Sequence, residues 1–230
     1  MPTLKPKPSS LREVLKTLIS FPSWHALRTH FIAQHDWEVT RKSKQAQQFG
    51  NVMPWWSYSA ISFIDQIVPT SAEVLELGSG YSTLWWLSRG NRIVAIEPSS
   101  DWATKIVYDA GLSADRLQML NHDPTTAAAL PALASHVKFD VLVLDHSGDR
   151  TTATSHYLPF LADNGILIFD NSDRPEYAEG LQILIDKGFS RLDFFGLGPI
   201  NAFASQTSIF FQDGALKPLG RIAEFGVIQY

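Results

Sequence analysis

The residues able to do chemistry in this chain stand at the ends of short apolar runs. The first group is Glu76, Gly78, Ser79, Gly80 and Ser82, within EVLELGSGYSTLWWL from Glu73 to Leu87. A buried-strand run ends there in a carboxylate and two glycines, which let the backbone turn sharply and approach a ligand without side-chain obstruction. Ser82 is placed to cap a helix that starts near Thr83. Such a turn suits a nucleotide. Glu97 closes the next apolar run, 17 positions after Gly80. That is close to the spacing of about 20 at which an acid accepts hydrogen bonds from ribose hydroxyls. Asp123 ends a third run, just before Pro124, where an aspartate also serves as a turn residue. Asp145, Asp170 and Asn171 follow two further runs and form a set of hard oxygen donors suited to Mg²⁺ or Ca²⁺. His146 and Asp149 stand beside Asp145 as candidate proton acceptors. Each of these acids also has a plain reading, because Asp and Asn favour the turns that follow strands.

These residues need a scaffold that brings strand ends together. Val74–Leu77, Arg92–Ile96, Leu117–Leu120, Phe139–Leu144 and Ile166–Phe169 read as buried strands. Helical stretches separate them, over Thr83–Arg89, Asp101–Ala110, Thr125–Ser135, perturbed by Pro131, and Thr152–Leu161. Alternation of this kind predicts an α/β fold, with a mostly parallel sheet covered by helices on both faces. The carboxyl ends of its strands then form the ligand crevice. After a helix over Pro175–Lys187, the runs Phe189–Phe195 and Thr207–Gln212 have no helix between them, and predict a terminal antiparallel pair. Upstream, Pro54 can open a helix in which Ala60, Ile61, Ile64 and Val68 recur at helical spacing. Trp55, Trp56 and Tyr58 at its front read either as packing or as an aromatic wall for a substrate or a cation.

The pattern Glu76-x-Gly78-x-Gly80, with Thr83 where a dinucleotide fold wants a third glycine, resembles motif I of class I S-adenosylmethionine (SAM) methyltransferases. The resemblance covers roughly residues 55 to 212. It implies a Rossmann-like, seven-stranded sheet with SAM bound across its carboxyl edge. Glu76 would lie near the methionine end of the cofactor, Gly78, Ser79, Gly80 and Ser82 would cradle it, Glu97 would hold the ribose and Asp123 would match the acid that meets the adenine amino group. The run Asp145-His146-x-x-Asp149-Arg150, followed by Asp170-Asn171, resembles catechol O-methyltransferase and related metal-dependent enzymes. That second resemblance implies Mg²⁺ as a further cofactor on Asp145, Asp170 and Asn171. The catechol enzyme's base lysine falls at Gly148 here, which leaves His146 or Asp149 as the proton acceptor, with Asp145 as a further catalytic candidate that orients substrate or cofactor. The expected activity is methyl transfer to a small molecule at oxygen. The alternatives are a SAM-binding or S-adenosylhomocysteine-binding module without catalysis, and a nicotinamide oxidoreductase.

Composition narrows the partners. At 230 residues the chain is long enough for one domain, residues 51–230, behind a helical extension or cap at residues 1–50. A net charge of -4 argues against a nucleic acid partner, and the absence of cysteine rules out disulfides, thiolate metal sites and a cysteine nucleophile. Residues 1–10, rich in Pro, Lys and Ser, are expected to be mobile, and Leu11–Phe21 reads as an accessory amphipathic helix. With no secretory signal pattern and no run of spanning length, the chain reads as cytoplasmic and not inserted in a membrane. Arg150 and Arg174 are candidates for an ion pair or an anionic substrate group. Monomer and homo-oligomer both stay open.

Overall fold

Short runs rich in Val, Ile and Leu, each closed by an acid or a glycine, become the central strands. The computed structural model describes residues 37–43, 45, 47–48, 51–136 and 138–215. The expectations for residues 1–36 and for the tail at 216–230 lie outside the described residues. In chain order, helix α1 (Trp37–Ser43) precedes a two-residue ribbon of β1 (Gln47–Gln48) and β2 (Asn51–Val52). Then come α2 (Tyr58–Ile67), β3 (Glu73–Leu77), α3 (Tyr81–Arg89), β4 (Arg92–Ile96), α4 (Ser100–Ala110) and β5 (Leu117–Leu120). The second half runs α5 (Leu130–Leu133), β6 (Phe139–Leu144), α6 (Arg150–Tyr157), β7 (Leu161–Phe169), α7 (Ala178–Asp186), β8 (Ser190–Gly196) and β9 (Ser205–Phe211). Among the described residues no helix is long and apolar enough to cross a membrane.

The seven-stranded sheet has the order β5-β4-β3-β6-β7-β9-β8. Strands β3 to β7 pair in parallel, and β9 runs antiparallel between β7 and β8. The chain therefore builds outward from β3 to one edge, returns, and builds outward again from β6. The loops after β3 and β6 leave the sheet in opposite directions, and the crevice opens between them.

Residues alternate faces along each strand. Val74, Val141 and Ile168 pack on one side with Trp56, Ile64 and Trp86, while Leu75, Leu142 and Phe169 pack on the other with Tyr157 and Leu181. Glu76 falls on the Val74 face and is fully buried as a result.

Three local expectations need correction. Helix α3 begins at Tyr81, with Gly80 at the cap position, so Ser82 lies inside the first turn and is no cap. The helix expected over Thr125–Ser135 is a 3₁₀ turn at Ala127–Ala129 followed by the single turn α5, with Pro131 in its first turn. Strand β7 starts at Leu161, and α6 stops at Tyr157, because Pro159 lacks the N–H that a continuing helix needs.

Candidate active site

The glycine turn after β3 is held from beneath by a short polar relay. The Gly80 N–H donates to Thr83 Oγ1 at 2.9 Å, and the Thr83 hydroxyl donates to Glu76 Oε2 at 2.5 Å. Glu76 Oε1 is buried with no partner. Burial pushes the Glu76 carboxyl up to about 8, against the lowering effect of the Ser82 and Thr83 hydroxyls. Gly78 has a φ of +89°, and a Cβ there would lie 2.8 Å from the Asp145 carbonyl and from His146 Cα. Its glycine is thus dictated by the neighbouring loop after β6, not by a ligand. A Cβ on Gly80 would meet nothing within 4 Å. Of the two glycines, Gly80 is the one that faces open cleft.

Glu97, at the end of β4, braces the same turn. Its Oε2 accepts from the Ser79 N–H at 2.9 Å and the Ser79 hydroxyl at 3.2 Å, and its Oε1 accepts from the Ser99 N–H at 2.9 Å. The Trp102 indole N–H donates to the Ser79 carbonyl at 2.7 Å and puts its ring in the cleft wall. A buried carboxylate oxygen without a donor, a second acid beside the turn and an unobstructed Gly80 fit a ligand with a cationic group, hydroxyl donors and no phosphate.

The floor of the cleft, about 420 Å³ in volume, is made where β6 and β7 end. Asp145, Asp170 and Asn171 all line it, as expected for residues following adjacent strands. Asp145 Oδ2 accepts from the Trp56 indole N–H at 3.0 Å, and its Oδ1 lies 3.5 Å from Arg150 Nη2. Asp170 Oδ1 accepts from the Thr207 hydroxyl at 2.6 Å, and that hydroxyl in turn accepts the Ser57 N–H at 3.2 Å. Burial raises both carboxyls; the neighbouring Asp145 charge raises Asp170 further, while Arg150, Trp56 and Arg174 oppose the rise at Asp145. These two carboxylates are already bonded by an indole, a hydroxyl and a guanidinium. Among the described residues no group of three or more His, Cys, Asp or Glu side chains could hold a metal ion. A divalent ion on Asp145, Asp170 and Asn171 would have to displace the indole and the guanidinium from Asp145.

Arg150 is buried and serves as a clamp. It donates through Nε to the His146 carbonyl at 2.9 Å and through Nη1 to the Asp170 carbonyl, with the Tyr177 ring 4.4 Å away. Five predicted site residues stand apart from the cleft lining: Glu76 and Glu97 behind the glycine turn, and Asp123, Asp149 and His146 on the loops. Asp123 is exposed and caps its own loop, accepting from the Thr125 N–H at 2.8 Å and the Thr125 hydroxyl at 2.7 Å. Asp149 is the N-cap of α6, accepting from the Thr151 and Thr152 N–H groups at 2.9 and 3.1 Å. His146 is buried against the loop, with Nδ1 2.8 Å from the Ser147 carbonyl, and burial pushes its pKa down to about 4.

The opposite wall comes from segments that the motifs did not announce. Trp55 lines the cleft beside Tyr81, their rings stacked at 5.7 Å with 21° between planes. Ile200 and Asn201, in the loop between β8 and β9, close the far side, and the Asn201 carbonyl accepts from the Trp37 indole at 3.3 Å. The aromatic triplet splits in function: Trp56 is core and positions Asp145, Tyr58 is buried, and Trp55 meets the cleft. The relay residue Thr83 was visible only as a missing glycine. Thr207 carried no signal, since a threonine in an apolar strand reads as ordinary strand composition.

Residues 75–172 match a family model described as a methyltransferase domain. No curated protein matches the sequence. Among solved structures, similar folds include the O-methyltransferase from Bacillus cereus in complex with S-adenosylhomocysteine, with a TM-score of 0.54, 18% identity, and 82% of this chain and 96% of that chain covered. The O-methyltransferase TomG from Streptomyces achromogenes, in complex with SAM, gives a TM-score of 0.50 at 17% identity over 63% of this chain and 74% of that chain. A SAM-dependent O-methyltransferase from Thermotoga maritima gives 0.51 at 14% identity, covering 67% of this chain and 64% of that one. At these identities the likeness establishes the fold, and the domain match adds the activity that the glycine turn and its two acids already suggested. The chain therefore contains, over residues 75–172, a match to a methyltransferase domain, on a fold it shares with solved SAM-dependent methyltransferases.

Proposed function

We propose that the protein methylates a hydroxyl group of a small molecule, with Asp145 as proton acceptor and without a divalent metal. The observation that carries this reading is the pair of carboxylates, half-buried Asp145 and buried Asp170, on the floor of the cleft that the glycine turn borders. Glu76 and Glu97 would hold the methionine and ribose ends of SAM, and Gly80 would let it lie close to the backbone. When bound, SAM supplies a methyl group on a sulfonium that is already a good leaving group. What the chain must add is alignment and a place for the hydroxyl proton.

Asp145 is better suited to that task than the other two candidates. It lines the cleft, whereas His146 is buried and neutral at physiological pH and Asp149 is spent on the α6 N-terminus. Arg150, Trp56 and Arg174 favour its charged form, against the burial that raises its pKa. Burial raises its basicity toward the range a general base needs. Asp170, anchored by Thr207, fixes the floor beside it.

Calorimetry with S-adenosylhomocysteine, using NADH as control, tests the cofactor site: heat from the first and none from the second is expected. Asp145→Asn should then lower kcat on a panel of phenols by about 10²- to 10⁴-fold while leaving S-adenosylhomocysteine affinity unchanged. Turnover that EDTA abolishes and Mg²⁺ restores would replace this reading with the metal-dependent one.

A further inference from the structure

The residues lining the cleft include two carboxylates, Asp145 and Asp170, and a single cationic side chain among the described residues, Arg174. Arg150 is consumed by the His146 and Asp170 carbonyls and the Asp145 carboxylate, so its charge is not on offer. Arg174 differs. It is exposed and lines the cleft, and it acts on Asp145 through its charge without a hydrogen bond or close ion pair to a described residue. Its backbone is nonetheless fixed: the Arg174 N–H donates to the Asn171 carbonyl at 3.1 Å, and its carbonyl accepts the Tyr177 N–H at 3.1 Å. Pro175 follows it and opens a 3₁₀ turn. The side chain is thus a free fork on a fixed stem.

Position decides what it faces. The glycine turn and Glu97 follow β3 and β4, toward one edge of the sheet, whereas Arg174 follows β7, on the side of the β8–β9 pair. Ile200 and Asn201, from the loop between β8 and β9, line that side, and Trp55, stacked on Tyr81 next to the glycine turn, lends a flat aromatic surface to the same cleft. A flat wall, an acid at the floor and an unspent guanidinium at the rim call for a planar molecule with a hydroxyl at one point and a negative charge at another. Guanidinium recognises carboxylates in a planar, two-point fashion that a neutral group cannot match.

We infer that Arg174 selects a methyl acceptor that is an aromatic hydroxy acid, binding its carboxylate while the ring lies along Trp55 and the hydroxyl meets Asp145. The inference rests on the hydroxyl-methylation reading above. The same guanidinium chemistry could instead serve the amino-acid carboxylate of the cofactor, and the test separates the two.

The protein is loaded with S-adenosylhomocysteine and titrated calorimetrically with 3,4-dihydroxybenzoate and with its methyl ester. Binding needs no turnover, so the result does not depend on finding the natural acceptor. The acid is expected to bind roughly tenfold or more tightly than the ester. Arg174→Gln should remove that preference, Arg174→Lys should restore part of it, and neither should change the affinity for S-adenosylhomocysteine or the unfolding midpoint. Equal binding of acid and ester, or binding of neither, overturns the inference while leaving the cofactor site standing. A loss of S-adenosylhomocysteine affinity in Arg174→Gln without loss of the acid preference assigns the guanidinium to the cofactor and also overturns it. Failure of the unmodified protein to bind S-adenosylhomocysteine at all would instead sink the reading beneath it.

Discussion

Glu76 is the residue whose state the site depends on most. Its carboxyl is raised from 4.5 to about 8 by burial, so the folded protein holds a proton there at neutral pH that the unfolded chain has released. A raised carboxyl stabilises the fold below its unfolded pKa and loses that contribution as pH climbs through the folded one. The unliganded protein should therefore lose stability between pH 4.5 and about 8 on this account. Glu76→Gln should flatten the slope, as read from urea midpoints across that range. A cationic group placed against the unpartnered Oε1 reverses the shift. S-adenosylhomocysteine binding at pH 7 should then expel about one proton per site, seen as a binding enthalpy that varies with the ionisation enthalpy of the buffer. An enthalpy independent of buffer would show that Glu76 keeps its proton.

The two glycines give opposite predictions at the same scale. Gly80→Arg fills open cleft and should abolish S-adenosylhomocysteine binding with the unfolding midpoint preserved. Gly78→Ala drives a Cβ into the backbone of Asp145 and His146 at a positive φ, and should lower the midpoint itself. The sequence made both look alike, because it shows a glycine but not which neighbour requires it. The acids after the strands were legible for a physical reason: strand ends converge, so a polar residue there reaches the crevice. Whether such a residue faces the crevice or caps the next loop depends on one or two bonds, as Asp123 and Asp149 show, and that choice has no periodicity to betray it.

At the scale of elements, the α6 N-terminus rests on Asp149. Asp149→Ala should cost about 1 kcal/mol in stability and leave S-adenosylhomocysteine affinity intact; a large loss of affinity would return Asp149 to the binding machinery. The loop after β8 is pinned in a different way. A Cβ on Gly198 would come within 2.8 Å of the Trp56 carbonyl, and the Leu197 carbonyl accepts the Tyr58 N–H at 3.0 Å. This backbone-to-backbone seating is what carries Ile200 and Asn201 over the cleft. Strands were readable because runs of four to six mostly apolar residues between polar stops leave little choice. The segment at Thr125–Ser135 was not, since its alanines favour a helix that Pro131 and the short span between β5 and β6 cut to one turn.

For the molecule as a whole, the sheet order places the two loops that diverge at the switch point, those after β3 and β6, in direct contact. A ligand held there binds only the folded state. S-adenosylhomocysteine at a hundred times its Kd should stabilise the fold by about 2.7 kcal/mol, with a transition temperature that rises with ligand concentration. The matched methyltransferase domain spans residues 75–172, whereas Trp55, Arg174, Ile200 and Asn201 all lie outside it.

The meeting of Gly78 with the Asp145 and His146 backbone has a consequence for how this chain can change over time. The donor side of the cleft and its acidic floor are cogs of one casting, with no room to slip past each other. The far wall is mounted on separate parts, the segment at Trp55 and the loop at 197–204, which touch that casting from outside. Lineages can exchange those mounted parts, and with them the molecule accepted, while the alignment between methyl group and floor is inherited untouched.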